Sequence, residues 1–154
     1  MTIEQVDFYL LDATDKAARF TVACRIANKA FGQGLTVYLQ TDDVAHCEML
    51  DRQLWTFSQE SYVPHAISQS GSAWDKYPIQ IGVGDIATEN IAKQDIARKN
   101  IDLLISLSGS VPGNALTYRR VADLILNSPE EKQFGRQRFK YYRDQGIEPR
   151  THSI

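Results

Sequence analysis

The first forty residues constrain the fold more tightly than any other part of the chain. Val6 to Leu11 (VDFYLL) is a short apolar run with aromatic and branched side chains, closed by Asp12, which is the pattern of a buried strand. From Thr14 the period changes. Phe20, Ala23, Ala27, Ala30 and Phe31 repeat at spacings of three and four, Val22 and Ile26 flank the same stripe, and Gly32 and Gly34 follow. That is an amphipathic helix with glycine just past its end. Leu35 to Leu39 (LTVYL) is a second strand. A strand, a helix and a strand within about thirty-odd residues make a right-handed βαβ crossover with parallel strands.

The remaining elements extend this alternation. A second helix starts at Asp42 or Asp43, either of which can cap it, and carries Val44, Cys47, Leu50, Leu54 and Trp55. Ser58 to His65 breaks the periodicity, Pro64 limits any strand there, and Ser68 to Trp74 reads as a small-residue loop. Pro78 to Val83 is a third strand, Ile101 to Leu107 a fourth and Arg120 to Leu126 a fifth. Between the third and fourth, Asp85 to Asn100 is polar and mixed in charge, a loop or a marginal helix. A strong helix runs from Pro129 to Gln145, and residues 146–154 read as a C-terminal tail. The expected fold is α/β, one domain over residues 1–154, with a mainly parallel sheet flanked by helices.

Composition bounds the function. Seventeen Lys and Arg against nineteen Asp and Glu give a formal charge of −2, which argues against a nucleic-acid binder acting through whole-molecule charge. Two cysteines, Cys24 and Cys47, exclude a disulfide scaffold and fit a reducing, cytoplasmic compartment. No apolar run reaches the roughly 18 residues that span a bilayer, and the acidic N-terminus lacks the basic region of a signal peptide.

The enzymatic motifs are sparse. Gly82-Val83-Gly84-Asp85-Ile86-Ala87 matches the relaxed dinucleotide fingerprint, yet it follows the third strand and not the first βα unit where that chemistry belongs. A glycine turn leaving an edge strand is the competing explanation. His46 shares a helix face only with Asp42 or Asp43, so an exposed ion pair is expected there in place of a metal site, which needs about four convergent ligands. Cys47 falls on the apolar stripe as a small hydrophobe. Ser106, Ser108 and Ser110 around Gly109 do not form a nucleophile elbow, and His65 and His152 have no legible partners. The catalytic inventory is poor, and no cofactor is expected.

The last helix is of another quality. Ser128-Pro129-Glu130-Glu131 supplies an N-cap, a proline at the first helical position and acids in the first turn. Lys132, Arg136, Lys140 and Arg143 then fall on one side, with Phe139 set into the basic stripe. Arg138 points elsewhere, and Phe134 and Tyr142 lean toward another face, that of the sheet. Residues Arg119 to Arg150 hold eight basic and five acidic side chains, net +3, which leaves −5 on the rest. Such a stripe is either a solvated face or a grip for a short acidic peptide ending in an apolar residue, with the cations on its carboxylates. A second feature is Trp55 to His65 (WTFSQESYVPH), whose large apolar groups either cover one end of the sheet or form a partner-binding patch.

FYLLD at Phe8 to Asp12, D-x-x-LW at Asp51 to Trp55, ESYVPH at Glu60 to His65 and K-Q-x-x-R-x-R-F-K-x-Y-R-x-x-G from Lys132 to Gly146 together resemble the chi subunit family of bacterial DNA polymerase III. The resemblance covers essentially the whole chain. It implies a non-catalytic accessory subunit of the clamp-loader complex, with a nucleotide-binding-like (Rossmann-like) topology but without a nucleotide site. It implies binding to the acidic C-terminal tail of single-stranded DNA-binding protein through Lys132, Arg136, Phe139, Lys140 and Arg143, with Ile125 as an apolar wall. It also implies pairing with the psi subunit through Trp55, Tyr62, Val63 and Pro64, hence an indirect association with DNA. Tyr62 stands where phenylalanine is usual in the family, and Phe139 where tyrosine occurs, which removes a hydroxyl from the tail site. Two other functions compete with this one: a nucleotide-dependent enzyme at the Gly82–Gly84 turn, and direct binding of single-stranded DNA by the basic helix.

Overall fold

Strand, helix and strand do form at the N-terminus, but the two strands are not neighbours. In the computed structural model, which describes residues 3–56, 65–67, 78–83, 101–107 and 118–153, β1 (Gln5–Leu10), α1 (Lys16–Gly32) and β2 (Val37–Thr41) are followed by α2 (Val44–Thr56), β3 (His65–Ile67), β4 (Ile79–Val83), β5 (Leu103–Ser106), β6 (Arg120–Ile125), α3 (Pro129–Asp144) and β7 (Arg150–Ser153). The seven strands make one sheet in the order β3-β4-β2-β5-β6-β1-β7, and every neighbouring pair is parallel. β5 and β6 therefore lie between the two strands of the N-terminal unit. Among the described residues, no helix is long and apolar enough to cross a membrane.

Strand alternation divides the core into two. Leu39, Ile81, Ile105, Ala122 and Leu124 face α1 and α2, where they meet Phe20, Ala23, Ala27, Cys47, Leu50 and Leu54. Val6, Phe8, Val121 and Ile125 face the other way and pack with Tyr142 and Phe139 of α3. Burial on both faces explains why β2 and β5 read as continuous apolar runs and not as alternating ones.

Local chemistry sets the helix ends. Asp15 caps α1 by accepting the Ala17 N–H at 3.0 Å, so the helix starts later than Thr14. Asp43, not Asp42, accepts the His46 N–H at 2.8 Å at the start of α2. Ser128 accepts the Glu131 N–H at 3.2 Å, with Pro129 in the first turn of α3. At the other end of α3, Gly146 has φ +85°. Its N–H reaches the Arg143 carbonyl at 2.9 Å and the Ile147 N–H reaches that of Tyr142 at 3.1 Å. This αL closure turns the chain back along the sheet.

That reversal produces the first departure from the sequence reading. Residues 150–153, expected as tail, form β7 and pair with β1, His152 opposite Tyr9 and Thr151 opposite Phe8. His152 has partners after all: its Nε2 lies 2.8 Å from Asp7 Oδ1 and its ring stacks on Tyr9 at 4.9 Å. The short strand β3 was not legible either, and because it pairs with β4, the Gly82 strand is not an edge. Phe134 is corrected too: it is 42% exposed, whereas Tyr142 is fully buried. Val44 and Trp55, carried by α2, face outward. The Asp85 to Asn100 stretch and the Ser68 to Trp74 loop lie outside the described residues.

Burial also governs the thiols. Cys24 sits at 0% exposure inside the α1 core, and burial pushes its thiol up to about 12. The Cys47 thiol is raised for the same reason, while a Thr41 contact at 3.2 Å works the other way. Because the thiolate is the nucleophile, the native protein should resist a thiol reagent at neutral pH, and both cysteines should label once it is unfolded in denaturant. Rapid labelling of native protein, followed by mass spectrometry, would contradict this packing.

A basic apolar cleft between the last helix and the sheet edge

α3 lies over the end of the sheet formed by β6, β1 and β7, and does not cover it completely. Phe8 and Leu10 from β1, Ile125 from β6 and Thr151 from β7 project from the same face because they share one phase of the alternation. With Lys132, Gly135, Arg136 and Phe139 of α3 they line a cleft of about 320 Å³. Its floor is apolar: the Phe8 and Phe139 rings are 5.3 Å apart at 52°, and Tyr142 stands edge-on to Phe8 at 6.1 Å. Leu10, 37% exposed, extends that surface outward.

Gly135 decides how deep the cleft is. A Cβ there would run into the Ile125 δ-methyl and approach Cγ1 to 3.0 Å, so the missing side chain is what lets α3 settle onto β6. Its signal in the sequence was a glycine in mid-helix, which is unfavourable by about 1 kcal/mol relative to alanine and so asks for a packing reason. For Gly135→Ala, that propensity gain opposes overpacking of about 1–3 kcal/mol. A net fall in melting temperature of about 2–4 °C is expected; a rise on thermal unfolding would show that Ile125 yields freely.

The cations divide into two sets. Arg138 is buried and forks onto Asp123, Nε to Oδ2 at 2.7 Å and Nη2 to Oδ1 at 2.9 Å. Burial pushes the Asp123 carboxyl upward and the Arg138 guanidinium opposes it. Glu131 faces Arg19 of α1 at 3.5 Å. By contrast Lys132 and Arg136 are exposed on the cleft wall, and among the described residues neither has a carboxylate partner. The result is an apolar slot with two uncompensated cations on one rim. It suits an anion attached to an apolar group.

Of the residues singled out from the sequence, the cleft brings together Ile125, Lys132, Arg136 and Phe139. Lys140 and Arg143 are exposed on α3 but do not line it. Phe8, Leu10, Gly135 and Thr151 were missed, since β-strand positions reach the cleft only through the strand order. Trp55 is 52% exposed at the end of α2, which packs against β3 and β4 at the opposite end of the sheet. Tyr62, Val63 and Pro64 lie outside the described residues.

The weaker candidates resolve locally. His46 Nδ1 is 3.4 Å from Asp43 Oδ2, an ion-pair geometry. Gly82 abuts the Tyr38 ring, so a packing contact accounts for that glycine. Among the described residues, no group of three or more His, Cys, Asp or Glu side chains could hold a metal ion.

Comparison with known proteins matches residues 3–150 to a family described as DNA polymerase III chi subunit, HolC. The chain is 35% identical over 150 residues to the DNA polymerase III subunit chi of Pseudomonas aeruginosa, covering 97% of this chain and 96% of that one. It is 28% identical over 153 residues to the same subunit of Escherichia coli, covering 97% of each, and 24% identical over 147 residues to that of Haemophilus influenzae. Among solved structures it is similar to S. cerevisiae Dbp5 bound to RNA and ADP BeF3, with a TM-score of 0.61 at 10% identity, spanning 98% of this chain but 41% of that one. That likeness shows the fold alone.

Proposed function

This chain belongs to the DNA polymerase III chi subunit family, accessory subunits of the replicative polymerase, and we propose that it serves there as a non-catalytic tether. In this reading the cleft between α3 and the sheet edge takes the acidic C-terminal tail of single-stranded DNA-binding protein. The observation that carries it is the pairing of an apolar floor with the cations Lys132 and Arg136, which have no carboxylate partner among the described residues. An apolar terminal side chain enters between Phe8, Ile125 and Phe139, and the tail carboxylates meet the cations at the rim. Phe139 contributes area and no hydrogen bond. Lys140 and Arg143, next along the helix, steer the peptide and do not seat it. Single contacts are modest, and several tails along a coated strand raise the effective concentration.

The other end of the sheet attaches the subunit to the clamp-loader complex. Trp55, exposed at the end of α2, is the anchor for the psi subunit in this reading, together with Tyr62, Val63 and Pro64. The cleft and Trp55 lie toward opposite ends of the sheet order, so in this reading both attachments can be engaged at once. The deciding experiment is retention of the protein on immobilised single-stranded DNA-binding protein, intact and with its last few residues removed. Retention that depends on those residues supports the tether; equal retention on both, or on bare single-stranded DNA at physiological salt, overturns it.

A further inference from the structure

A second groove lies on the opposite face of the sheet, between the C-terminal half of α1 and strands β1, β5 and β6. It encloses about 240 Å³ and is lined by Tyr9, Arg25, Lys29, Gln33 and Arg120, with Asp7 at one side over an apolar floor. Arg25 and Lys29 are four residues apart on α1, which places them on one face of the helix. Both are exposed, and among the described residues neither has an acidic partner.

Arg120 is the more telling member. Its guanidinium donates no hydrogen bond to any described residue, and its Nε is buried without an acceptor. The nearest carboxylate among the described residues, Asp7 Oδ2, is 3.9 Å away, beyond hydrogen-bond range. Asp7 is in any case engaged elsewhere, by Gln5 Nε2 at 2.6 Å and by His152 Nε2 at 2.8 Å. A buried guanidinium N–H without an acceptor is unusual, because buried donors are nearly always satisfied. Among the described residues, three cations against one occupied carboxylate leave the groove positive.

We propose that this groove is a binding site for a phosphate group. The planar Arg120 fork matches two oxygens of a tetrahedral oxyanion, and Arg25 and Lys29 close over it as flexible point charges. The Tyr9 hydroxyl and the Gln33 amide add neutral donors at the rim. The small volume admits a phosphate with a short attachment and not an extended acidic peptide, which the larger cleft on the other face fits. The phosphate can belong to a free nucleotide or to the end or backbone of a nucleic-acid strand. This inference does not depend on the tether.

Nuclear magnetic resonance titration of the intact protein tests it with four probes: inorganic pyrophosphate, a mononucleotide, a short 5′-phosphorylated single strand and an acidic peptide. Saturable shifts at the Arg120 Nε–H and at Tyr9 and Gln33, with Gly135 in the other cleft unmoved by pyrophosphate, are the expected result. The exposed double variant Arg25→Gln/Lys29→Gln should weaken phosphate binding about tenfold while its thermal unfolding is unchanged. The mononucleotide and the oligonucleotide distinguish the two sources. No saturable shift with any phosphate probe, equal binding by the variant, or preference of the groove for the acidic peptide would each overturn the proposal.

Discussion

Replacing Arg138 with methionine should lower the unfolding free energy by about 3–5 kcal/mol, the typical effect of leaving a buried charge without its partner. Asp123 is 1% exposed and its carboxylate is held by the Arg138 fork. The remaining cation nearby, Arg19, pairs with Glu131. For a chain of this length the melting temperature should fall by about 6–20 °C. The pH dependence follows from the same geometry. Burial already pushes the Asp123 carboxyl upward, and Arg138 is the largest influence opposing it. Without Arg138, the folded state holds the Asp123 proton to higher pH than the unfolded chain, whose value is about 3.9. The native state then binds more protons, so stability falls as pH rises through that window. The deficit of the variant should therefore be smaller at about pH 5 than at about pH 8. Replacing both partners, Asp123→Leu with Arg138→Met, should recover most of the loss, because two apolar groups leave no charge to desolvate. Denaturant melts of the three variants at two pH values check this; a single variant as stable as the parent would show that the pair contributes nothing.

The second large effect concerns the cleft. Lys132→Ala and Arg136→Ala should each weaken binding of a fluorescent acidic tail peptide about tenfold, a charge-assisted hydrogen bond discounted for exposure. Both side chains are exposed and unpaired among the described residues, so stability should stay within about 0.5 kcal/mol. Lys140→Ala and Arg143→Ala should change the affinity less and chiefly flatten its salt dependence, because those cations lie on α3 but outside the cleft. Anisotropy titrations at two salt concentrations separate the two groups. Equal losses at all four positions would mean that the helix acts as a diffuse basic surface and that the apolar slot does not seat the peptide.

Much of the architecture was legible along the chain because its signals are local. Ser128, Pro129 and the first-turn acids announce α3 through backbone groups within a few residues of them. The apolar runs at β2, β4, β5 and β6 announce strands buried on both faces. The cation stripe on α3 is likewise a matter of helical spacing. Arg138 was separable from it for that reason, although nothing in the spacing pointed to Asp123. The misses have a common origin. Phe134 reads as apolar on a helix, but only the position of α3 on the sheet makes that face exposed. β7 is four exposed polar residues; its strand character comes from pairing with β1, whose free edge no local pattern reveals. His152 found its partners by the same route.

The sequence by itself determined that helices and strands alternate, where α3 begins, and which residues give α3 its charge, since capping, periodicity and composition act over a few residues. Only the tertiary structure decided which strands are neighbours, and with them both grooves. Parallel pairing brings Leu10 beside Ile125, and Thr151 beside Phe8, across long stretches of chain. It also sets Arg120 against an Asp7 already engaged by His152. Those contacts depend on strand order and on the phase of each strand's alternation, which are settled by burial of the whole sheet and not by any one segment.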